Sequence, residues 1–404
     1  MRRRQLLQFV AATPLAAGCA APEADLRGLR VVVAGAGIVG AAIAYFATLA
    51  GARVTVIDRA APASHASRGT FAWINATWAK QPRHYHALNQ RGVERWSELA
   101  ASLSIPIRWG GSIEWFADPA RQARLARQIA EQQAWGEPAC MIGADELSAL
   151  EPNLDPGSAD AFALSPRDGA VDPVAATHAL LAAATERGAK VRYPLEALGV
   201  VSSGNRLRGV QTTQGVIDAD RLVLATGADP LAPRRCADLE IPQRSTPGVI
   251  ALTEPLPPTL NTIVVAPGVH LHQRGDGRVV LGEQDGAPDT AAHAARLSRR
   301  PNDFPSEALA RQHGERMLAV AQRFIPTLRA ATIESAVIGW RPLPLDGQPV
   351  LGATAERPNV HFALMHSGVT LAPVAGELIA ANLAAPIDLR AYAPNRDFRD
   401  GGRY

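Results

Sequence analysis

The stretch VVVAGAGIVGAAIAYFATLAGARVTVID, from Val31 to Asp58, constrains this chain more than any other. Val31–Ala34 is a short apolar run of the kind that forms a buried parallel strand. Gly35, Gly37 and Gly40 then fill the spacing G-x-G-x-x-G, with Ile38 and Val39 between the last two. In such a turn the first glycine permits a tight bend and the second lets a pyrophosphate approach the backbone. The third lets the following helix pack closely on the strand. That helix offers free N–H groups and a positive dipole end to the phosphates. Val54–Ile57 predicts the next strand. Asp58 falls 23 residues after Gly35, close to the spacing at which a carboxylate accepts hydrogen bonds from an adenosine ribose. Glycine triplets also arise by chance in Gly- and Ala-rich chains, and a ligand-free βαβ unit is the competing reading. Strand, turn, helix, strand and acid in order favour a dinucleotide, without choosing between NAD and FAD.

The chain is long enough, at 404 residues, for a two-domain enzyme with a substantial core. Its formal net charge of +3 is small for that length, and no long basic block predicts a nucleic-acid partner. Cys19, Cys140 and Cys236 lack metal-type spacing, so no metal site is expected. No internal stretch is long and apolar enough to span a bilayer. The N-terminus has the form of an export signal over residues 1–22. Arg2, Arg3 and Arg4 precede an apolar run from Leu6 to Gly18, and Cys19 follows. Arg3-Arg4 resembles a twin-arginine signal, and Leu15–Cys19 resembles a lipoprotein cleavage box. Together they predict an exported, periplasmic or membrane-tethered protein with a lipid at Cys19. The alternative is a cytoplasmic protein with a disordered extension.

Further along, helical spacing covers Arg83–Leu103, Arg121–Gly136, Ala175–Arg187 and Pro301–Arg323. Short strands are expected at Lys190–Tyr193, Leu198–Val201, Arg206–Thr212, Arg221–Thr226, Val249–Glu254 and Thr262–Ala266. A hairpin over His270–Leu281 turns at Arg274–Gly277. A strand at Val360–Leu364, the turn His366-Ser367-Gly368 and a helix through Asn382 return to the pattern of the start. Residues 29–80, 165–230 and 335–384 therefore read as one discontinuous nucleotide domain, with 81–164 and 231–334 as a second domain. The tail, 385–404, is expected to be poorly ordered.

The whole chain resembles the D-amino-acid oxidase superfamily of FAD enzymes, in the glycine oxidase, sarcosine oxidase and D-amino-acid dehydrogenase group. The resemblance covers Leu29–Leu383. It rests on GAGIVG with Asp58, GAVDP at Gly169–Pro173, LATGA at Leu224–Ala228, GWRPLPLDGQPVLG at Gly339–Gly352 and HSGVTLAP at His366–Pro373. It implies an α/β fold: a Rossmann-like FAD-binding domain with an inserted antiparallel-sheet substrate domain. It also implies FAD, held noncovalently because no cysteine stands near the C-terminal motif. Gly35, Gly37, Ile38, Val39 and Gly40 would then meet the pyrophosphate, Asp58 the ribose and Arg59 the adenosine. Ser67, Arg68 and Thr70 would run beside the diphosphate and ribityl chain. Thr226 and Gly227 would lie on the flavin side, and the backbone of His366, Ser367, Gly368, Val369 and Thr370 would close over the ring.

In the same resemblance Arg341, the arginine of G-x-R-P, binds the substrate carboxylate. Its planar fork matches a carboxylate bidentately and fixes the reacting carbon. The bland reading pairs Arg341 with Asp346 instead. His270 and His272 point to one face of a predicted strand, where relatives often place a pocket tyrosine; an exposed sheet face fits them equally. The implied reaction oxidises the C–N bond of glycine, sarcosine or a D-amino acid by hydride transfer from Cα to flavin N5. Oxygen, a quinone or a cytochrome would take the electrons. The alternatives are a flavin dehydrogenase of a 2-hydroxy acid or polyol, and a noncatalytic flavin- or nucleotide-binding protein.

Overall fold

A computed structural model describes residues 24–78, 80–204, 206–283 and 302–399. The export-like segment with Cys19 lies outside the described residues. Eight helices carry labels: α1 (Ile38–Leu49), α2 (Arg83–Leu103), α3 (Pro119–Ala134), α4 (Ala144–Leu150), α5 (Pro173–Glu186), α6 (Leu231–Ala237), α7 (Glu307–Ala321) and α8 (Gly368–Ala384).

The glycine-turn strand Arg30–Ala34 sits inside a six-stranded sheet. Its order is Val350–Ala353, Val360–Leu364, Arg221–Leu224, Arg30–Ala34, Arg53–Ile57 and Lys190–Arg192. Five of these strands run parallel, and Val350–Ala353 closes one edge antiparallel. A parallel sheet needs both faces covered. Here α1, α2, α5 and α8 cover one face, around Ile43, Val93, Trp96, Leu180 and Leu371. The other face packs under α6 and a three-stranded meander, around Val32, Leu207, Val210 and Phe362.

The second sheet has eight strands in the order Ile333–Pro344, Gln243–Thr253, Val279–Glu283, Val269–Gln273, Ile263–Ala266, Ser112–Glu114, Phe162–Ser165 and Cys140–Ile142. Neighbours are antiparallel except Ile263–Ala266 beside Ser112–Glu114, which run parallel. One face packs on α7 through Met317, Leu318 and Leu271. On the other, Phe71 packs among Ile250, Val265 and Val280. The two parts meet where the backbones of Gly69 and Gly339 touch, since a Cβ on either would overlap the other.

Several expectations shift. The strand Ile333–Pro344 is hidden in the sequence, because its prolines argue against a strand interior. It lies at the end of the sheet, where proline is tolerated. The chain therefore returns to the nucleotide sheet at Val350, not at residue 335. Helix α2 belongs to the core of the nucleotide half, in contrast to its expected place in the substrate half. Helix α7 starts later than the expected Pro301, because Ser306 caps it by accepting from the N–H of Leu309 at 3.2 Å. Leu389 and Tyr392 are buried, and Arg396 pairs with Asp346, so the tail is docked as far as it is described.

Helices α1 and α8 are held close by Gly376, where a Cβ would meet Phe46 Cδ2 at 2.5 Å and the Ala42 carbonyl oxygen at 2.9 Å. Gly376→Leu is expected to lower the melting temperature by the equivalent of about 1–3 kcal/mol of overpacking. An unchanged melting curve would contradict this packing.

Candidate active site

The glycine turn is built by contact. Gly35 has φ +117, and a Cβ there would overlap the Ala225 carbonyl; one on Gly40 would overlap the carbonyl of Gly35. Gly37 has a different role. It caps α1 without a side-chain bond, and a Cβ there would meet only Ser67 Oγ, at 3.1 Å. The Ile38 N–H donates to Ser67 Oγ at 3.0 Å. Asp58 braces the turn: Oδ2 accepts from the Ala36 N–H at 2.7 Å, and Oδ1 from the Ala60 N–H at 3.0 Å. Gly227 follows the strand Arg221–Leu224 at φ +58, with nothing within 4 Å of where a Cβ would stand. Arg59 reaches Asp229 at 3.5 Å and Arg68 reaches Asp303 at 2.6 Å, both on the outside.

The second helix start lies beside the first. Gly368 opens α8 and would touch Val39 Cγ2 at 3.3 Å through a Cβ. Ser367 makes no side-chain cap, and neither α1 nor α8 has an acidic residue in its first turn. Val39 faces Gly368, and Ala42 and Phe46 face Gly376, so the two helices run parallel with their positive ends together. One stripe of α2 fixes this arrangement. The Tyr85 hydroxyl meets Ser367 Oγ at 3.1 Å, and the Trp96 indole N–H donates to the Val369 carbonyl at 2.7 Å. Between them Gly92 lies against the Thr370 carbonyl, 2.5 Å from where its Cβ would stand. The Thr370 hydroxyl donates to the Trp73 carbonyl and accepts from the Asn75 N–H, each at 3.2 Å.

These residues fit a flavin dinucleotide. Two helix starts free of protein acids, with glycine gaps at Gly37 and Gly227, leave the room and the positive ends that a pyrophosphate and an electron-rich ring require.

The wall opposite is the inner face of the eight-stranded sheet. Arg341 pairs across from Thr246, and its guanidinium lies over Gly248, with Nη2 2.7 Å and Nε 3.1 Å from a Cβ there. His270 lies flat over Gly282, its cross-strand partner, which also has no room for a Cβ. The Phe71 ring meets His270 edge-on at 4.3 Å. Arg341 acts electrostatically on both His270, on the sheet face, and His366, just before α8. Burial, with Arg341 as the next cause, holds His270 down to about 3; burial, Arg341 and Lys80 do the same for His366. Both imidazoles are therefore neutral near pH 7.

His272 is not on an exposed sheet face. It is buried beside Phe71, with ring centroids 4.8 Å apart, and Nε2 pairs with the Phe71 carbonyl at 2.9 Å. As a buried donor to a main-chain oxygen, it positions the Phe71 loop. Asp346, the partner that the bland reading gives Arg341, accepts from Arg396 at 2.7 and 2.9 Å.

Sequence patterns give no notice of Lys80, Asp168 or Glu114. Asp168 accepts from the Trp73 indole at 2.8 Å and the Ser112 hydroxyl at 2.7 Å, and burial pushes it up to about 8. Glu114 accepts from the Trp78 indole at 2.7 Å and is pushed by burial to about 7. The two indoles meet edge-to-face at 5.3 Å. The one visible signal is Lys80 itself, since the chain has only two lysines, Lys80 and Lys190, among its 41 basic residues. Among the described residues no group of three or more His, Cys, Asp or Glu side chains is arranged for a metal ion.

With this geometry in place, the chain belongs to the FAD-dependent oxidoreductase family, whose model matches residues 30–382. It is 26% identical over 369 residues to a subunit of the opine oxidase of Agrobacterium tumefaciens, covering 88% of this chain and 93% of that one. It is 25% identical to glycine oxidase of Pseudomonas aeruginosa, covering 90% and 98% of the two chains. The fold matches a crystal structure of L-proline dehydrogenase from P. horikoshii with a TM-score of 0.77, at 24% identity over 91% of this chain and 97% of that one.

The raised Asp168 has a consequence for stability. The folded protein keeps this proton where the unfolded chain, at an ordinary 3.8, has lost it. Its contribution is present below about pH 4 and is lost as pH rises through about 8. Asp168→Asn is therefore expected to flatten the decline in unfolding free energy between pH 5 and pH 8. Parallel pH profiles for both proteins would refute the raised value.

Proposed function

We propose that this protein oxidises the C–N bond of a small amino acid, with Arg341 holding the substrate carboxylate. The position of Arg341 carries the proposal. Its guanidinium lies over Gly248 on the sheet face, and its charge is felt by neutral His270 on that face and by His366 just before α8. A carboxylate seated on that fork presents its α-carbon and nitrogen toward the turn His366–Gly368. FAD, when bound, supplies the two-electron acceptor for that carbon. His270 and Phe71 wall the pocket without adding a charge at neutral pH, and the neutral His270 does not compete with Arg341 for the carboxylate. The relatives support this class of substrate, since their names speak of glycine and opine.

Arg341→Met is expected to keep FAD, because the cofactor-facing glycines and helix starts are untouched. Substrate affinity should fall by the ~2–5 kcal/mol that follows loss of one partner of a buried charged pair. Arg341→Lys should fall between, keeping charge but losing the bidentate fork. Substrate titrations of flavin absorbance under anaerobic conditions would read both. Unchanged affinity in Arg341→Met would remove this role, and oxidation that yields neither ammonia, an amine nor a cyclic imine would move the substrate to hydroxy acids.

A further inference from the structure

Lys80 is half-buried, and burial lowers its ammonium to about 8, where Lys ordinarily titrates at 10.5. Its Nζ donates to Asn75 Oδ1 and Asn89 Oδ1, each at 2.9 Å. Among the described residues it forms no ion pair. Asp168 and Glu137 act on it only from a distance, and Asp168 is itself held neutral near pH 7. A desolvated charge without a counter-ion is costly.

Its surroundings point to the site already described. Asn75 is tied to Thr370 of α8, and Asn89 lies one turn from Tyr85, which meets Ser367. Lys80 and Arg341 both lower His366, so both charges are felt just before the start of α8. The choice of lysine is also unusual in a chain with two lysines among 41 basic residues. A tetrahedral ammonium can give one N–H to each of two separate amide oxygens and still aim its third elsewhere. A planar guanidinium presents its donors in one rigid fork and divides less readily.

We propose that Lys80 is a second carboxylate-recognition group, so that the site takes amino acids carrying an anionic group at each end of the amine, such as N-carboxyalkyl amino acids. Arg341 holds the carboxylate beside the reacting carbon, and Lys80 holds the distal one through its third N–H. This rests on the reading of Arg341 above, and it narrows that reading to dianionic substrates. The two amide oxygens keep the ammonium charged and aimed before the ligand arrives, which lowers the cost of ordering it on binding.

The test uses a matched pair of unreactive ligands, thiodiacetate with two carboxylates and (methylthio)acetate with one, titrated by calorimetry into the FAD-loaded enzyme. Thiodiacetate should bind roughly 10- to 100-fold more tightly, the range of one charge-assisted hydrogen bond. In Lys80→Gln that ratio should collapse toward one, and Lys80→Arg should restore part of it. Equal affinities in the wild type would overturn the proposal even if neither variant folds. So would a ratio that survives in Lys80→Gln. Parallel assays compare iminodiacetate with sarcosine, which share a secondary amine and differ by one carboxylate. Oxidation of neither, with the thiodiacetate preference intact, would sink the narrowing to N-carboxyalkyl amino acids and leave Lys80 as an anion site. Oxidation of both at equal kcat/KM would sink the Lys80 proposal alone.

Discussion

The parallel packing of α1 and α8, with their positive ends side by side, is the constraint on which the rest depends. Two like dipole ends brought together repel, and neither helix start carries a protein carboxylate to relieve it. The arrangement persists because side chains hold it from outside. Gly376 and Gly368 allow the close approach, and Tyr85, Gly92 and Trp96 of α2 pin the first turn of α8. An anionic dinucleotide bound there would relieve the repulsion, and the family's cofactor, FAD, is one.

The second sheet acts as a wall set against that pair. Its distance is fixed by backbone contact at Gly69 and Gly339, without side chains that could yield. Across its inner face, glycines lie under the groups that matter: Gly248 under Arg341 and Gly282 under His270. His272, two residues on, is bonded to the Phe71 carbonyl and so fixes the ring that packs against His270. The charges of Arg341 and Lys80 are both felt at His366, while the nearby imidazoles stay neutral and the buried acids Asp168 and Glu114 are held toward their protonated forms.

Much of the nucleotide half is legible in the sequence because its residues obey local rules. Gly35 and Gly40 are required by carbonyls from the same short segment or its parallel neighbour, so their spacing survives in the sequence. The strand Arg30–Ala34 is apolar on both faces because parallel sheets are covered twice. The substrate half is less legible. Ile333–Pro344 hides its strand character behind prolines tolerated only at an edge. The role of His272 depends on a carbonyl 201 residues away, and Asp346 turns to Arg396 in the docked tail. Lys80 cannot be placed from spacing, since its partners Asn75 and Asn89 come from a loop and a helix that meet only on folding. The helix α2 reads in the sequence as an ordinary amphipathic element. Only the folded form shows that its buried stripe of Tyr85, Gly92 and Trp96 sets the start of α8.

The most direct test mixes the purified flavin-loaded protein anaerobically with single amino acids and follows the visible spectrum, with ammonia or amine assayed afterwards. The account predicts bleaching of the flavin by a small amino acid, with one equivalent of ammonia or amine released per flavin reduced, or of cyclic imine formed where L-proline is the substrate. A bound flavin that glycine, sarcosine, iminodiacetate, L-proline and D-amino acids all leave oxidised would contradict it.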